Sequence, residues 1–321
     1  MCTGHLSRRG LIRGAGAAAL ATGLAGTAAA DPKPLSGPGV TLRWLGVAGW
    51  ELSANGRRVL FDPYLSRMEY RVPGGSAINE RARLALRPDL VDRTITEAPE
   101  LIMVSHGHWD HVADVPHLLA RFPGARVVCG RSTAFLLEAW DVPRSRMIVV
   151  RGGENLEFGG LSVQVVPSLH SMTAEHAYLL PGELDAKPRT PRTLGELVEG
   201  ETFAFQVSFS AGSSGTTREV LLFGATNYAE RELAGLTPDV LVASMTSWKP
   251  VHAYPARLVR ALGSPPLTVA SHHDDMLTPL DSPDLPATIN TAGPAAFRTE
   301  VAAAGLVTNV HEPTHRKPFT V

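Results

Sequence analysis

The sequence is poor in cysteine and carries almost no net charge, and each shortage excludes a class of protein. Its 321 residues include two cysteines, and if the N-terminal segment with Cys2 is removed, Cys129 alone cannot form an internal disulfide. The formal net charge of -1 argues against a nucleic-acid partner, because such proteins usually present a basic face. The Gly-x-Ser-x-Gly nucleophile elbow and the phosphate-binding P-loop are also missing.

Residues 1–30 have the composition of an export signal. A basic stretch over residues 7–13 precedes a run of Ala, Gly and Leu over residues 15–30, which ends in three alanines before Asp31. This order is typical of a secretory signal peptide. The pair Arg8-Arg9 resembles a twin-arginine signal, which implies export of a folded protein. A helical N-terminus or a membrane anchor is the alternative, but glycines and threonines within the run weaken a spanning helix.

We therefore expect three segments along the chain. Residues 1–30 form the signal peptide, residues 31–39 a proline-bearing linker, and residues 40–321 a single domain. Cleavage after Ala30 would release the protein on the extracellular or periplasmic side, with no stable membrane span in the mature chain. No oligomeric state is indicated.

Short β-type runs alternate with helical patterns after residue 40, which predicts a mixed α/β fold. Asn55-Gly56 is a strong hairpin signal, and the apolar run 101–104 suits a strand buried on both faces. Asp114 is the expected N-terminal cap of one helix, Ser132 or Thr133 is expected near the start of a second, and Gly305 just past the end of a third. Strands are predicted at 41–45, 50–52, 58–61, 101–104, 126–129, 147–150, 161–166, 202–209, 219–223, 240–243 and 267–270, and helices at 114–121, 132–140, 256–262 and 294–304.

Three histidines and an aspartate crowd the exit of the buried strand 101–104. They are His106, His108, Asp110 and His111, and Gly107 between them lets the backbone approach closely. Imidazoles and carboxylates are ligands that Zn²⁺ and similar ions prefer. A solvated polar loop is the alternative, but placing these groups beside an apolar strand would be costly without a metal.

The pattern His-x-His-x-Asp-His after a buried strand resembles the signature of the metallo-β-lactamase fold superfamily. Residues 44–50 and 60–66 are similar to the opening hairpin of its lactonase-like and phospholipase-like branch. The resemblance implies a four-layer αββα sandwich. It also implies that Asp62 lies behind the metal site and orients a ligand histidine. Val47 departs from the histidine common at its position in this branch.

The resemblance further implies two metal-ion sites. His106, His108 and His170 would hold one ion, and Asp110, His111 and His272 the other. His273 would occupy an aromatic position beside the last ligand, although an exchange of His272 and His273 stays open. The expected cofactor is one or two Zn²⁺ ions, with Mn²⁺ or Fe²⁺ as alternatives.

One departure from the superfamily concerns the aspartate that usually bridges both ions. The matching stretch is residues 223–227, where Ala225 cannot act as a ligand. Three interpretations follow. The ions share only a water-derived bridge, as in the β-lactamases of the superfamily; the second site is weak or empty; or the protein binds without turnover.

The expected function is metal-dependent hydrolysis of a small ester, lactone or phosphodiester, with zinc as the first choice of metal and Asp110 orienting the attacking water and passing on its proton. One alternative is a catalytically weak metal- or ligand-binding protein with the same fold, and another is β-lactamase-like amide hydrolysis. His252, Tyr228 and His273 are candidates for the substrate pocket. The proline-bearing segment 171–200 is either a flap over the site or a plain surface loop.

Overall fold

The computed structural model describes residues 37–210 and 217–321. The expected signal peptide and most of the linker lie outside the described residues, and so do residues 211–216 between two predicted strands. Within the described part, two β-sheets pack face to face and helices cover their outer sides.

The strands and helices follow the predicted order closely. The strands are β1 Thr41–Gly46, β2 Gly49–Ala54, β3 Arg57–Phe61, β4 Leu101–Met103, β5 Arg126–Cys129, β6 Met147–Val149, β7 Asn155–Glu157, β8 Leu161–Leu169, β9 Phe203–Ser210, β10 Thr217–Phe223, β11 Asn227–Tyr228, β12 Val240–Ser244, β13 Leu267–Ser271, β14 Asn309–His311 and β15 Pro318–Thr320. The α-helices are α1 Pro88–Thr94, α2 Trp109–Val112, α3 Val115–Arg121, α4 Arg131–Ala139, α5 Tyr254–Ala261 and α6 Ala292–Ala303.

The first sheet has the strand order β15-β1-β2-β3-β4-β5-β6. Strands β1 to β3 form an antiparallel meander, and the predicted turn between β2 and β3 is confirmed, with Asn55 and Gly56 at φ of 52° and 76°. Strands β3 to β6 run parallel, so their carboxyl ends share one edge of the sheet. Asp62 comes directly after β3 and Ser105 two residues after β4, and this topology therefore brings them side by side.

The second sheet has the order β11-β8-β9-β10-β12-β13-β14, with β7 paired to β8. Strands β9 and β10 pair in an antiparallel register. Strands β10, β12, β13 and β14 run parallel to one another. His170 follows β8 and His272 follows β13, so this sheet delivers two of the predicted ligands.

Three apolar layers hold the molecule together, and they confirm the αββα sandwich. The middle layer fills the space between the sheets and includes Trp50, Phe61 and Phe205. One outer layer joins the first sheet to α1, α3 and α4. The other joins the second sheet to α5 and α6 through residues such as Leu258 and Phe297.

The helix ends correct one predicted cap. Asp114 directly precedes α3, but its carboxylate accepts the backbone N–H groups of Leu65 and Ser66, at 2.6 and 2.8 Å, rather than capping the helix. Helix α4 begins at Arg131 after Gly130, so Ser132 and Thr133 lie near its start, as predicted. Gly305 follows α6 at a φ of 70°, as predicted. No helix in residues 37–210 and 217–321 combines the length and the apolarity needed to cross a membrane.

Candidate metal centre

The predicted ligands converge at the edge where the parallel strands of both sheets end. His106 and His108 lie on the loop after β4, and Asp110 and His111 lie on α2, which starts at once after that loop. His170 reaches the same place from the end of β8, and His272 from the end of β13. All six side chains are buried. Two groups of three form there, and within each group the candidate ligand atoms lie within 4.8 Å of one another.

The first group contains His106, His108 and His170. Their ring centroids lie 4.6 to 4.8 Å apart. Burial lowers the pKa of His108 to about 4 and that of His170 to about 3, so both are neutral at pH 7. The Nδ1 of His170 donates to the carbonyl of Ser171 at 2.8 Å, and the Nε2 of His106 is buried without a partner. This leaves lone pairs free for a cation.

The second group contains Asp110, His111 and His272. The Nε2 atoms of His111 and His272 lie 3.2 and 3.3 Å from Oδ2 of Asp110. Burial by itself lowers the pKa of His111, but the carboxylates of Asp110 and Asp62 outweigh it and raise the value to about 10. Burial raises the pKa of Asp110, whereas the two imidazoles hold it well below its usual range. The second group is therefore a cluster of strongly interacting polar side chains that are buried.

The structure separates His272 from His273. His272 has a left-handed backbone, with a φ of 51°, and donates its N–H to the carbonyl of Val47 at 2.8 Å. Its ring points at Asp110, whereas the ring of His273 stacks on Trp44 with centroids 4.6 Å apart. His272 therefore takes the position predicted for the last ligand.

A buried ion pair fixes the loop that carries His272. Asp274 accepts Nη1 of Arg67 at 2.8 Å and Nε2 of His315 at 2.7 Å, and both of its oxygens lie 3.2 Å from the N–H of Val47. Burial raises the pKa of Asp274, but His315 and Arg67 hold it far below its usual range. Val47 itself has a φ of 51°, a strained value for a β-branched residue, and these contacts hold it there.

Asp62 lies behind both groups, fully buried. Its Oδ2 accepts Nδ1 of His111 at 2.7 Å and the hydroxyl of Ser105 at 2.6 Å, while its Oδ1 accepts the N–H of Ser105 at 2.7 Å. Because that hydroxyl donates to Asp62, its oxygen accepts Nδ1 of His106 at 2.9 Å. One carboxylate thus holds the Nδ1 hydrogen of His111 directly and that of His106 through Ser105, so that Nε2 is the atom each ring offers to a cation, which would displace the Nε2 hydrogen of His111.

Two further residues shape this network without a distinct signal in the sequence. Ser105 is marked there only by its place before the histidine motif. Gly224 lies against the hydrogen bonds of Asp62, and a Cβ there would fall 2.2 Å from Oγ of Ser105 and 2.6 Å from Oδ2 of Asp62. Its neighbour Ala225 is buried and offers no ligand atom.

A cavity of about 200 Å³ opens onto both groups. Apolar or aromatic side chains form much of its wall, and none of the described residues that line it is a lysine or an arginine. Ser171 and Leu179 belong to the segment 171–200, which is therefore a wall of the site as well as a surface feature. The same segment touches the ligand loop, where the N–H of Gly107 donates to the carbonyl of Glu199 at 2.7 Å. The other wall residues are Tyr70, Ile78, Trp109, Gly224, Thr246, Ser247 and Met276.

None of the three residues predicted for the substrate pocket is among the described residues that line this cavity. His252 is exposed and does not line the cavity. Tyr228 is buried in the outer apolar layer against Tyr254, with ring centroids 6.0 Å apart. His273 lies behind the site on Trp44. Nearness to a strand end in sequence does not reveal which face of the sheet a side chain occupies.

Comparison with known proteins supports the fold. Residues 41–189 match the family model of the beta-lactamase superfamily domain. The chain is 31% identical over 183 residues to a UPF0173 metal-dependent hydrolase of Methanopyrus kandleri, covering 57% of this chain and 66% of that relative, just under two thirds of its length.

Solved structures share the architecture. Igni18, a metallo hydrolase from Ignicoccus hospitalis, aligns with a TM-score of 0.56 at 18% identity, covering 88% of this chain and 98% of that chain. YhfI of Bacillus subtilis, a metallo-beta-lactamase fold protein, aligns with a TM-score of 0.52 at 10% identity, covering 88% and 100%. The chain therefore has the metallo-β-lactamase fold.

Replacing Asp62 with Asn should weaken metal binding by about 10- to 100-fold, the range typical for partners that orient metal ligands. An amide nitrogen beside Nδ1 of His111 would donate to it and move the ring hydrogen to Nε2. Competition with a chromophoric chelator measures the affinity. Asp114→Asn is the control, because this buried carboxylate touches no predicted ligand; it should lower stability only. Unchanged affinity in the Asp62 variant would contradict the orienting role.

Proposed function

We propose that the protein is a metal-dependent hydrolase that cleaves a small, uncharged ester or lactone. The observation that carries the proposal is the convergence of six buried ligand groups from both sheets on one small cavity. The match to a superfamily of this fold and the metal-dependent hydrolase named among the relatives support it.

The donor set fits one or two divalent transition-metal ions. His106, His108 and His170 would hold one ion, and Asp110, His111 and His272 the other, with Zn²⁺ first and Mn²⁺ or Fe²⁺ next, because five imidazoles and one carboxylate suit these ions. When bound, such ions lower the pKa of coordinated water toward ~7 and polarise an ester carbonyl.

Asp110 is the group of this chain best placed to move a proton. It lines the cavity, and its Oδ2 is held between His111 and His272. A carboxylate held ionised in this way can accept a proton from the attacking water and deliver it to the leaving alkoxide.

The cavity wall favours an uncharged substrate. Tyr70, Ile78, Trp109, Leu179 and Met276 present apolar surface. Since the described wall residues include no lysine or arginine, an anionic group remote from the reacting bond would find no countercharge among them. These features favour an ester or lactone over a phosphodiester.

Ser171 supplies a hydrogen-bond donor to the same cavity. Its Oγ accepts both the N–H and the hydroxyl of Thr226, each at 2.9 Å. With both lone pairs engaged, the hydroxyl hydrogen of Ser171 is free to donate. Ser171 lines the cavity beside His170, so its hydroxyl can donate to the oxygen on which negative charge develops during ester cleavage.

A second candidate is a binding protein of the same fold with little turnover. Ala225 favours it, because most hydrolases of the superfamily that this sequence resembles carry an aspartate there, which bridges the two metal ions. Metal content and turnover measured on one sample separate the two.

We also propose export through the twin-arginine route, with the signal-like composition of residues 1–30 as support.

Metal content and substrate class test the main proposal together. The protein should hold about two ions per chain by elemental analysis and hydrolyse p-nitrophenyl acetate or a simple lactone at least about 10-fold faster than bis(p-nitrophenyl) phosphate. His108→Ala should lose metal and activity, because the first group loses one of three ligands. His273→Gln is the matched control and should retain both.

The outcomes separate the candidate functions. A preference for the phosphodiester would overturn the substrate class and keep the hydrolase. Bound metal without turnover of any probe would favour the binding protein. Full metal content in His108→Ala would remove the site assignment.

Ser171→Ala should lower kcat by about 10²-fold, the scale of losing one donor to a developing oxyanion, with little change in metal content. Steady-state kinetics and elemental analysis on one preparation provide the check. Ser168→Ala is the control, because that hydroxyl donates to the carbonyl of Asn227 and does not line the cavity. A kcat within twofold of the parent protein would exclude Ser171 from the reaction.

Export has its own test. The mature protein should begin at Asp31 when the full chain is produced in a host with the twin-arginine system, as N-terminal sequencing would show. Changing Arg8 and Arg9 to lysine should block processing and leave the precursor inside the cell. Unimpaired processing of that variant would argue against this route.

A further inference from the structure

A second cavity lies apart from the metal centre and is lined by basic side chains. Its volume is about 920 Å³, and it shares no lining residue with the cavity at the metal centre. The charged residues of its wall are Arg81, Arg83, Lys187, Arg189, Arg192 and Glu196. Five cations therefore face one carboxylate, in a chain whose 30 basic and 31 acidic residues nearly balance.

The backbone holds these side chains in place through two paired segments. Arg83 and Thr193 form an antiparallel bridge. On either side of it, the N–H of Leu84 donates to the carbonyl of Arg192 at 2.9 Å, and the N–H of Leu194 donates to the carbonyl of Ala82 at 3.0 Å. Leu194 is fully buried in the apolar layer under the first sheet. Arg83 and Arg192 thus lie on two paired segments that are anchored to the core.

The single carboxylate of this wall is already engaged by its own segment. Glu196 accepts the N–H groups of Arg192 and Thr193 at 2.7 and 2.9 Å, and the Thr193 hydroxyl at 3.1 Å. These hydrogen bonds, that of Arg192 first, lower its pKa. The carboxylate acts as a cap for the turn Leu194–Glu196, and its charge offsets only part of the basic wall.

The guanidinium groups lack acidic partners. Among the described residues, no carboxylate lies within 4 Å of the side-chain nitrogens of Arg81, Arg83, Arg189 or Arg192, and Lys187 has only the exposed Asp141 at 3.7 Å. Like charges around one cavity repel one another, so a multivalent anion between them would be attracted by all of them. Guanidinium forks pair bidentately with phosphate oxygens.

We propose that this cavity binds a small anion that carries two or more phosphate groups. A single phosphate cannot contact five cations spread around about 920 Å³, whereas linked phosphates can. The volume falls in the range of small-molecule sites, about 300–1,000 Å³. The phosphate groups come either from a free soluble compound or from a phosphorylated headgroup, and the chemistry that recognises them is the same. This site is independent of the hydrolase proposal.

Calorimetric titration of inorganic triphosphate into the metal-loaded protein tests the proposal. Triphosphate should bind at least about 10-fold more tightly than monophosphate, and the affinity should fall as salt rises. Arg83→Gln combined with Arg189→Gln should weaken binding at least about 10-fold, with an unchanged Tm because both side chains are exposed. Arg260→Gln, at an exposed arginine of α5, is the matched control and should bind as the parent protein does.

Three further measurements locate the binding and identify the source of the phosphate groups. His108→Ala should keep triphosphate binding; loss of binding there would mean that triphosphate binds at the metal centre and would overturn the proposal. Equal binding by the double arginine variant, or no binding by the parent protein, would overturn it too. Vesicles of phosphatidylcholine with and without a phosphoinositide distinguish a headgroup from a soluble compound. If the protein binds the phosphoinositide vesicles and triphosphate displaces it, the phosphate groups come from a headgroup. If the protein binds vesicles but not triphosphate, the proposed small-anion site is contradicted.

Discussion

The carboxylate of Asp62 is the contact on which the organisation of the metal centre depends. It is fully buried, and three of its hydrogen bonds come from Ser105 and His111, which belong to the loop after β4 and to α2. A buried carboxylate without partners would cost several kcal/mol, so the loop is stable only in the conformation that satisfies it. That conformation also holds the Nδ1 hydrogens of His106 and His111. The same hydrogen bonds therefore satisfy the buried carboxylate of Asp62 and orient two imidazoles toward a cation.

The remaining constraint comes from the other side of the molecule. The ion pair of Arg67 and Asp274 is buried, and Asp274 also holds the strained backbone of Val47. Val47 in turn accepts the N–H of His272. Through this chain of contacts the turn between β1 and β2 positions a ligand at the end of β13. Val47 replaces the histidine that is common at this position in the resembling branch. It contributes only backbone hydrogen bonds, which any residue with the same φ could make.

Most strands and the cluster of His106, His108, Asp110 and His111 could be predicted from local patterns, whereas the four layers and the ligand roles of His170 and His272 were implied by the resemblance to the metallo-β-lactamase fold. Alternating apolar residues define the sheets, and the parallel strand ends bring His106, His170 and His272 to one edge. Features set by long-range packing were missed. His272 and His273 could not be told apart, since the choice depends on a left-handed φ and on the stacking of His273 against Trp44. Tyr70 and Met276 reach the cavity from irregular segments that carry no periodic signal, and Tyr228 was misassigned because its side chain faces the outer apolar layer.

The two groups of ligands differ in how much of the chain they connect. The first draws on residues 106 to 170, whereas the second joins Asp110 and His111 to His272 near the other end. An ion in the second group would act as a cross-link that closes a loop of about 160 residues, which constrains the unfolded chain far more than a local clip does. A metal ion bound there would therefore link α2, beside the first sheet, to the end of β13 in the second sheet. The affinity for that ion would depend on the correct packing of the two sheets.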